Sequence, residues 1–108
     1  SKLTVKTKLI YKTCNDFYMG SSSLKMVSGS LLDVQSAINT NCIIQDTTDD
    51  STLEIEGVMK IPKQTTLKID PQMTILSGGK ITIDTESTVH VSKGESHGSI
   101  TNDGILLW

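Results

Sequence analysis

Between Thr52 and Val91 two aliphatic residues recur, always spaced i, i+2, in six short segments with turn residues between them: Leu53/Ile55, Met59/Ile61, Leu67/Ile69, Met73/Ile75, Ile81/Ile83 and Val89/Val91. That spacing sets both side chains of a pair on one face of a β-strand. Successive pairs start six, eight, six, eight and eight residues apart, which leaves room for turns but not for helices. Repetition on this scale is the mark of a solenoid, in which each unit buries its apolar face only by stacking on its neighbours. The pattern therefore predicts an all-β parallel β-helix, or β-solenoid, built from short strands. Its structural core is expected to be Leu53, Ile55, Met59, Ile61, Leu67, Ile69, Met73, Ile75, Ile81, Ile83, Val89 and Val91.

Two windings satisfy the spacing. Three strands per turn give coils of 20 to 22 residues, which stack Leu53 on Met73, Met59 on Ile81 and Leu67 on Val89. A 14-residue offset instead aligns TLEIEG, TLKIDP and KITIDT, bringing Glu56, Asp70 and Asp84 to one repeated position. The second winding fits three chains intertwined about a common axis.

The chain ahead of the repeat reads differently. Residues 2–11 alternate, with Leu3, Val5, Leu9 and Tyr11 on one side of a single strand. A Gly-Ser loop follows, and Phe17, Tyr18 and Met19 are expected against the core. Over 30–40 the sequence predicts a short helix: Ser30 as its cap, Asp33 in the first turn, and Leu31, Val34, Ala37 and Ile38 on one face. Cys42 to Ile44 reads as a brief strand and QDTTDDS (45–51) as a polar turn. Residues 1–50 are thus expected to form an N-terminal strand-and-helix cap and residues 51–108 the solenoid body. A cap has a physical purpose, since an open coil exposes core side chains and unpaired strand edges.

A net charge of −2, with ten lysines and no arginine, offers no basic surface for nucleic acid and no guanidinium fork for phosphate. No window is apolar for the ~20 residues of a transmembrane span, and no signal-peptide pattern opens the sequence. Cys14 and Cys42 read either as two buried thiols or as one disulfide pinning the N-terminal region.

The stretch LLDVQSAINTN, followed by IPKQTTLKIDPQMTILSGGKITID and GSITNDG, resembles the parallel β-helix proteins of viral and phage spikes, tailspikes and fibres. Bacterial surface β-helix proteins are a second resemblance. It covers about residues 30 to 108, and its motifs specify fold better than function. What it implies is a non-enzymatic structural component of a viral spike or fibre, a homotrimeric shaft or tip on a virion or in the extracellular space. Its partner would be a host-surface receptor or glycan, and its task host attachment or penetration. Some spike tips carry a His-x-His metal motif. Here His90 and His97 are seven residues apart, so that motif is absent.

The residues suggest little chemistry. His90, between two core valines, is expected on the surface, and His97 in a loop; with Glu95 they form a weak candidate metal set, and no cofactor is implied. Glu54, Glu56, Asp70, Asp84 and Glu86 are the carboxylates a polysaccharide-cleaving β-helix would need. Ser96, His97 and Asp103 lack the strained turn a nucleophilic serine requires. SGG (77–79) and Gly94 read as turn glycines, and Asn102-Asp103-Gly104 as a tight turn. The chain finishes on apolar Ile105, Leu107 and Trp108, expected to meet another subunit or another stretch of shaft. The alternatives to the shaft are a receptor- or glycan-binding adhesin module and, more weakly, an enzyme fragment.

Overall fold

The computed structural model describes residues 2–12, 17–37, 39–48 and 50–108. Its strands run parallel and wind into a β-solenoid of about four turns. In chain order they are β1 (Lys2–Val5), β2 (Lys8–Lys12), β3 (Phe17–Met19), β4 (Ser23–Met26), β5 (Leu31–Gln35), β6 (Thr40–Asp46), β7 (Thr52–Ile55), β8 (Val58–Ile61), β9 (Thr65–Ile75), β10 (Lys80–Ile83), β11 (Thr88–Ser96), β12 (Ser99–Asn102) and β13 (Ile105–Leu107). They stack on three faces. The first holds β1, β4, β7 and the second halves of β9 and β11. The second holds β2, β5, β8, β10 and β12. The third holds β3, β6, the first halves of β9 and β11, and β13.

Leu53 pairs with Met73, Met59 with Ile81 and Leu67 with Val89, so the three-strand coil is the winding adopted. The 14-residue alignment is not the stacking register, and Glu56, Asp70 and Asp84 do not form a column. Leu53, Ile55, Met59, Ile61, Leu67, Ile69, Met73, Ile75, Ile81, Ile83, Val89 and Val91 are all buried, none more than 2% exposed. Ile69 is in register with Ile44 on one side and Val91 on the other, so its side chain is enclosed from both. The core does not begin at the repeat. Met19, Leu24, Met26, Leu32, Val34, Cys42 and Ile44 join the same cluster, from strands that pair directly with later ones.

Ile69 and Met73 differ from expectation in one respect. The pairs Leu67/Ile69 and Met73/Ile75 were expected on two short strands with Asp70-Pro71-Gln72 turning between them. Instead β9 runs unbroken from Thr65 through Ile69 to Ile75, passing from the third face to the first with Pro71 buried on its inner side. The alternation Leu67, Ile69, Pro71, Met73, Ile75 is never interrupted, so a strand can bend around this corner without a loop.

The helix expected over 30–40, and with it the strand-and-helix cap, is not what forms. No helix occurs among the described residues; β5 runs through Leu31–Gln35 with Leu32 and Val34 buried and Leu31, Asp33 and Gln35 half-buried. Leu-Leu-Asp-Val-Gln satisfies a period of two as well as one of 3.6, and a segment this short takes whichever its neighbours can pair with. Here β2 and β8 flank it and supply both edges of hydrogen bonds. Ser30 is a buried corner residue whose hydroxyl donates to the Val27 carbonyl at 2.6 Å, not a helix cap. Ile38 lies outside the described residues.

Two smaller corrections follow from the same geometry. Residues 2–11 are two strands on different faces, bent at Lys6 and Thr7, although Leu3, Val5, Leu9 and Tyr11 do all occupy inward positions. Cys42 is buried in β6 and disulfide-bonded, so its thiol is not free; Cys14 lies outside the described residues.

The corners repeat as regularly as the strands. Ser30, Gly57, Gly79 and Gly98 stack at the junction of the first and second faces, where backbone passes over backbone. A β-carbon on Gly79 would stand 2.1 Å from the Ile55 carbonyl oxygen, so no larger residue fits. At the next corner Asn39, Gln64 and Glu86 adopt positive φ in successive turns. Hydroxyls bridge the same corner: the Thr65 amide donates to the buried Ser87 Oγ at 3.2 Å, Ser87 Oγ donates to the Pro62 carbonyl, and the half-buried Ser36 shares a hydroxyl bond of 2.8 Å with Thr65. Among the described residues no buried side-chain polar atom lacks a partner, as a dry interior requires. Nor is any helix there long and apolar enough to cross a membrane.

Candidate functional site

Outward positions on the three faces carry the charged residues, and register decides which of them meet. Lys25 stands opposite Glu54 and Asp33 opposite Lys60 on adjacent rungs. Lys8 Nζ lies 3.8 Å from Asp33 and Lys68 Nζ 3.8 Å from Asp70. Such surface pairs, an exposed lysine on a half-buried aspartate, contribute little energy, up to ~1 kcal/mol each. They do alternate in sign, so these faces present no long stripe of one charge.

The carboxylates considered for catalysis do not converge. Glu54 faces outward from β7, with Thr74 on the next rung and Glu95 beyond it. Asp84 and Glu86 belong to the corner after β10, where Asp84 accepts from the Thr85 amide at 2.7 Å and Glu86 from Gln64 at 3.5 Å. Asp70 sits at the bend inside β9, directly after Ile69, and Glu56 at the corner after β7. These positions lie on different sides of the prism.

His90 points outward from β11, between Lys68 and Leu107 in register, and is exposed as expected. His97 lies past the end of the same strand on another side, its Nε2 3.3 Å from Glu95. The structure therefore brings His97 to Glu95 but not to His90, and no cluster of three metal-ligating side chains occurs among the described residues. Ser96 occupies the register position of Ile75, while Asp103 is at the corner after β12, so the two belong to different corners. Asn102 closes the expected turn by accepting from the Gly104 amide at 3.0 Å.

Three features were not evident from the sequence. Asp46 ties down the corner after β6, accepting from the Thr48 amide at 3.2 Å and from the Ser51 amide and hydroxyl at 3.0 and 2.9 Å. The Asp-x-Thr spacing in QDTTDDS was the available signal for that turn. Secondly, a pocket of about 200 Å³ opens at the N-terminal end beside Leu3, Phe17, Tyr18, Met19 and Leu24. Leu3 and Tyr18 are more than half exposed there, while the Phe17 ring meets Tyr11 edge-on at 5.2 Å. Thirdly, Gly94 is not a turn glycine. It lies within β11 at the inward position above Met73, and a β-carbon there would meet the Trp108 ring at 3.1 Å. The missing side chain leaves room for the indole at the far end of the core.

At the C-terminal end Ile105 and Leu107 face outward from β13, in register with Thr88 and His90, and both are at least half exposed. Leu106 between them packs inward against the core. No protein-family model, no curated protein and no solved structure matches this chain.

Proposed function

We propose that the chain is a rigid, non-enzymatic structural segment of a viral spike or fibre, displayed on a virion or in the extracellular space. In this reading it assembles as a homotrimer and holds a host-attaching or penetrating tip, with a host-surface receptor or glycan as partner. The observation that carries the reading is the uninterrupted aliphatic interior, with Leu, Ile, Met and Val stacked rung on rung under three ladders of axial hydrogen bonds. Such an interior resists bending and local opening, because each rung is held by the rungs on both sides. The disulfide at Cys42 supports an oxidising compartment outside the cell. Ile105 and Leu107, apolar and turned outward, offer a lateral contact among three copies.

Thermal unfolding with sedimentation equilibrium tests this. The shaft reading expects a mass of three chains and a melting midpoint above the ~45–65 °C usual for small mesophilic domains. It also expects Ile105→Ser with Leu107→Ser to dissociate the trimer. A monomer that melts within or below that range would sink the reading, and specific glycan capture by such a monomer would favour an adhesin module instead.

A further inference from the structure

Along the outward side of the third face one column runs Ile43, Lys68, His90 and Leu107, each in register with the next. Beside it runs a second, Asn41, Thr66, Thr88 and Ile105. Such side chains are open because of the direction in which they point, whatever lies above or below the rung. His90 shows this directly, since it has a rung on each side and is still exposed. Rungs stand about 4.8 Å apart, so a surface that covers Ile105 and Leu107 covers His90 as well.

The surroundings of His90 hold no anion for it. From β9 it faces Lys68, whose ammonium lies 3.8 Å from Asp70 and so already has its counter-ion. From β13 it faces Leu107, beside Ile105, and no titratable group. Two residues away on its own strand are the uncharged Thr88 and Ser92, while Lys93 and Glu95 belong to the first face. Among the described residues no carboxylate pairs with His90; Glu95 pairs with His97 on another side. A neutral imidazole is covered by a neighbouring chain at small cost. An imidazolium beside an ammonium, with no carboxylate of its own, gives up its water without compensation.

We propose that His90 is an acid-sensitive release for assembly through the third face, compatible with the Ile105 and Leu107 contact when neutral and opposed to it when protonated. The inference rests on the trimer reading above and adds the condition under which the trimer comes apart. Its sign follows from linkage. The separated chain accepts a proton at this position more readily than the covered one, so assembly weakens as pH falls. The fall belongs to the range in which imidazole changes charge, between about pH 8 and about pH 5. A preference of about tenfold per chain makes about a thousandfold for three chains.

Sedimentation equilibrium at about pH 7.5 and about pH 5.5, on either side of that change, tests the proposal. The expected result is three chains at the higher pH and one at the lower, with far-ultraviolet circular dichroism unchanged between them. His90→Gln should hold three chains at both, His90→Lys should hold one at both, and His97→Gln should behave as the wild type. His90 is exposed, so neither of its substitutions disturbs the core. A wild type that keeps three chains at both values overturns the proposal and leaves the trimer reading standing. Acid dissociation that persists in His90→Gln, or that comes with loss of the fold, overturns it too. A single chain already at the higher pH sinks the trimer reading, and the release with it.

Discussion

Corner residues set the tolerance of this molecule to substitution. Glu86 holds a φ of 59° at a position where only glycine avoids strain, and it sits at an exposed corner. A left-handed conformation costs an ordinary residue roughly 1–2 kcal/mol. Glu86→Gly should therefore leave stability unchanged or raise it by up to about 1 kcal/mol, after the glycine's greater unfolded-state freedom offsets part of the gain. Gly79→Ala should act in the opposite sense, because its methyl group would press on the Ile55 carbonyl. A loss of about 1–3 kcal/mol is expected from such overpacking. Urea unfolding of both variants checks the pair, and a neutral Gly79→Ala would mean that the stacked corner can open.

At the scale of the strand, position in the stack decides protection. β8 is bonded on both edges, to β5 and β10, whereas β2 and β12 each have one open edge. Amide hydrogen exchange in dilute solution should therefore be slowest in β7, β8 and β10 and faster in β1, β12 and β13. Uniform protection across all rungs would contradict this. The fate of β5 has the same cause. Its apolar residues satisfied a helical stripe on paper, but the open edges of β2 and β8 needed a partner, and tertiary pairing overrode the local preference. The single strand expected over residues 2–11 was likewise cut in two by a corner, although the inward set of side chains was legible from alternation. At β9 the opposite happened: the burial of Ile69 was legible, but the continuity of its strand into Met73 was hidden by an Asp-Pro dipeptide that usually marks a turn.

The whole molecule measures 33 × 28 × 24 Å, with no dimension much longer than the others. The disulfide at Cys42 lies in the turn that carries the least regular spacing, where successive third-face partners are furthest apart in sequence. Reduction should cost about 2–4 kcal/mol and lower the thermal midpoint, read by calorimetry with and without reductant. An unchanged midpoint would show that packing around Met19, Cys42 and Ile44 suffices.

From sequence alone, the i, i+2 pairs and their short steps determined the parallel solenoid and its inward residues, and narrowed its winding to two alternatives. They could do so because side-chain alternation in a strand is a property of the chain itself. Only the tertiary structure decided that Leu53, Met59 and Leu67 stack on Met73, Ile81 and Val89, that Lys2–Val5 already belongs to the coil, that β5 is a strand, that β9 continues past Ile69, and that Gly94 makes room for Trp108. Those outcomes depend on which edge lies beside which, across separations of about twenty residues that local pattern does not encode.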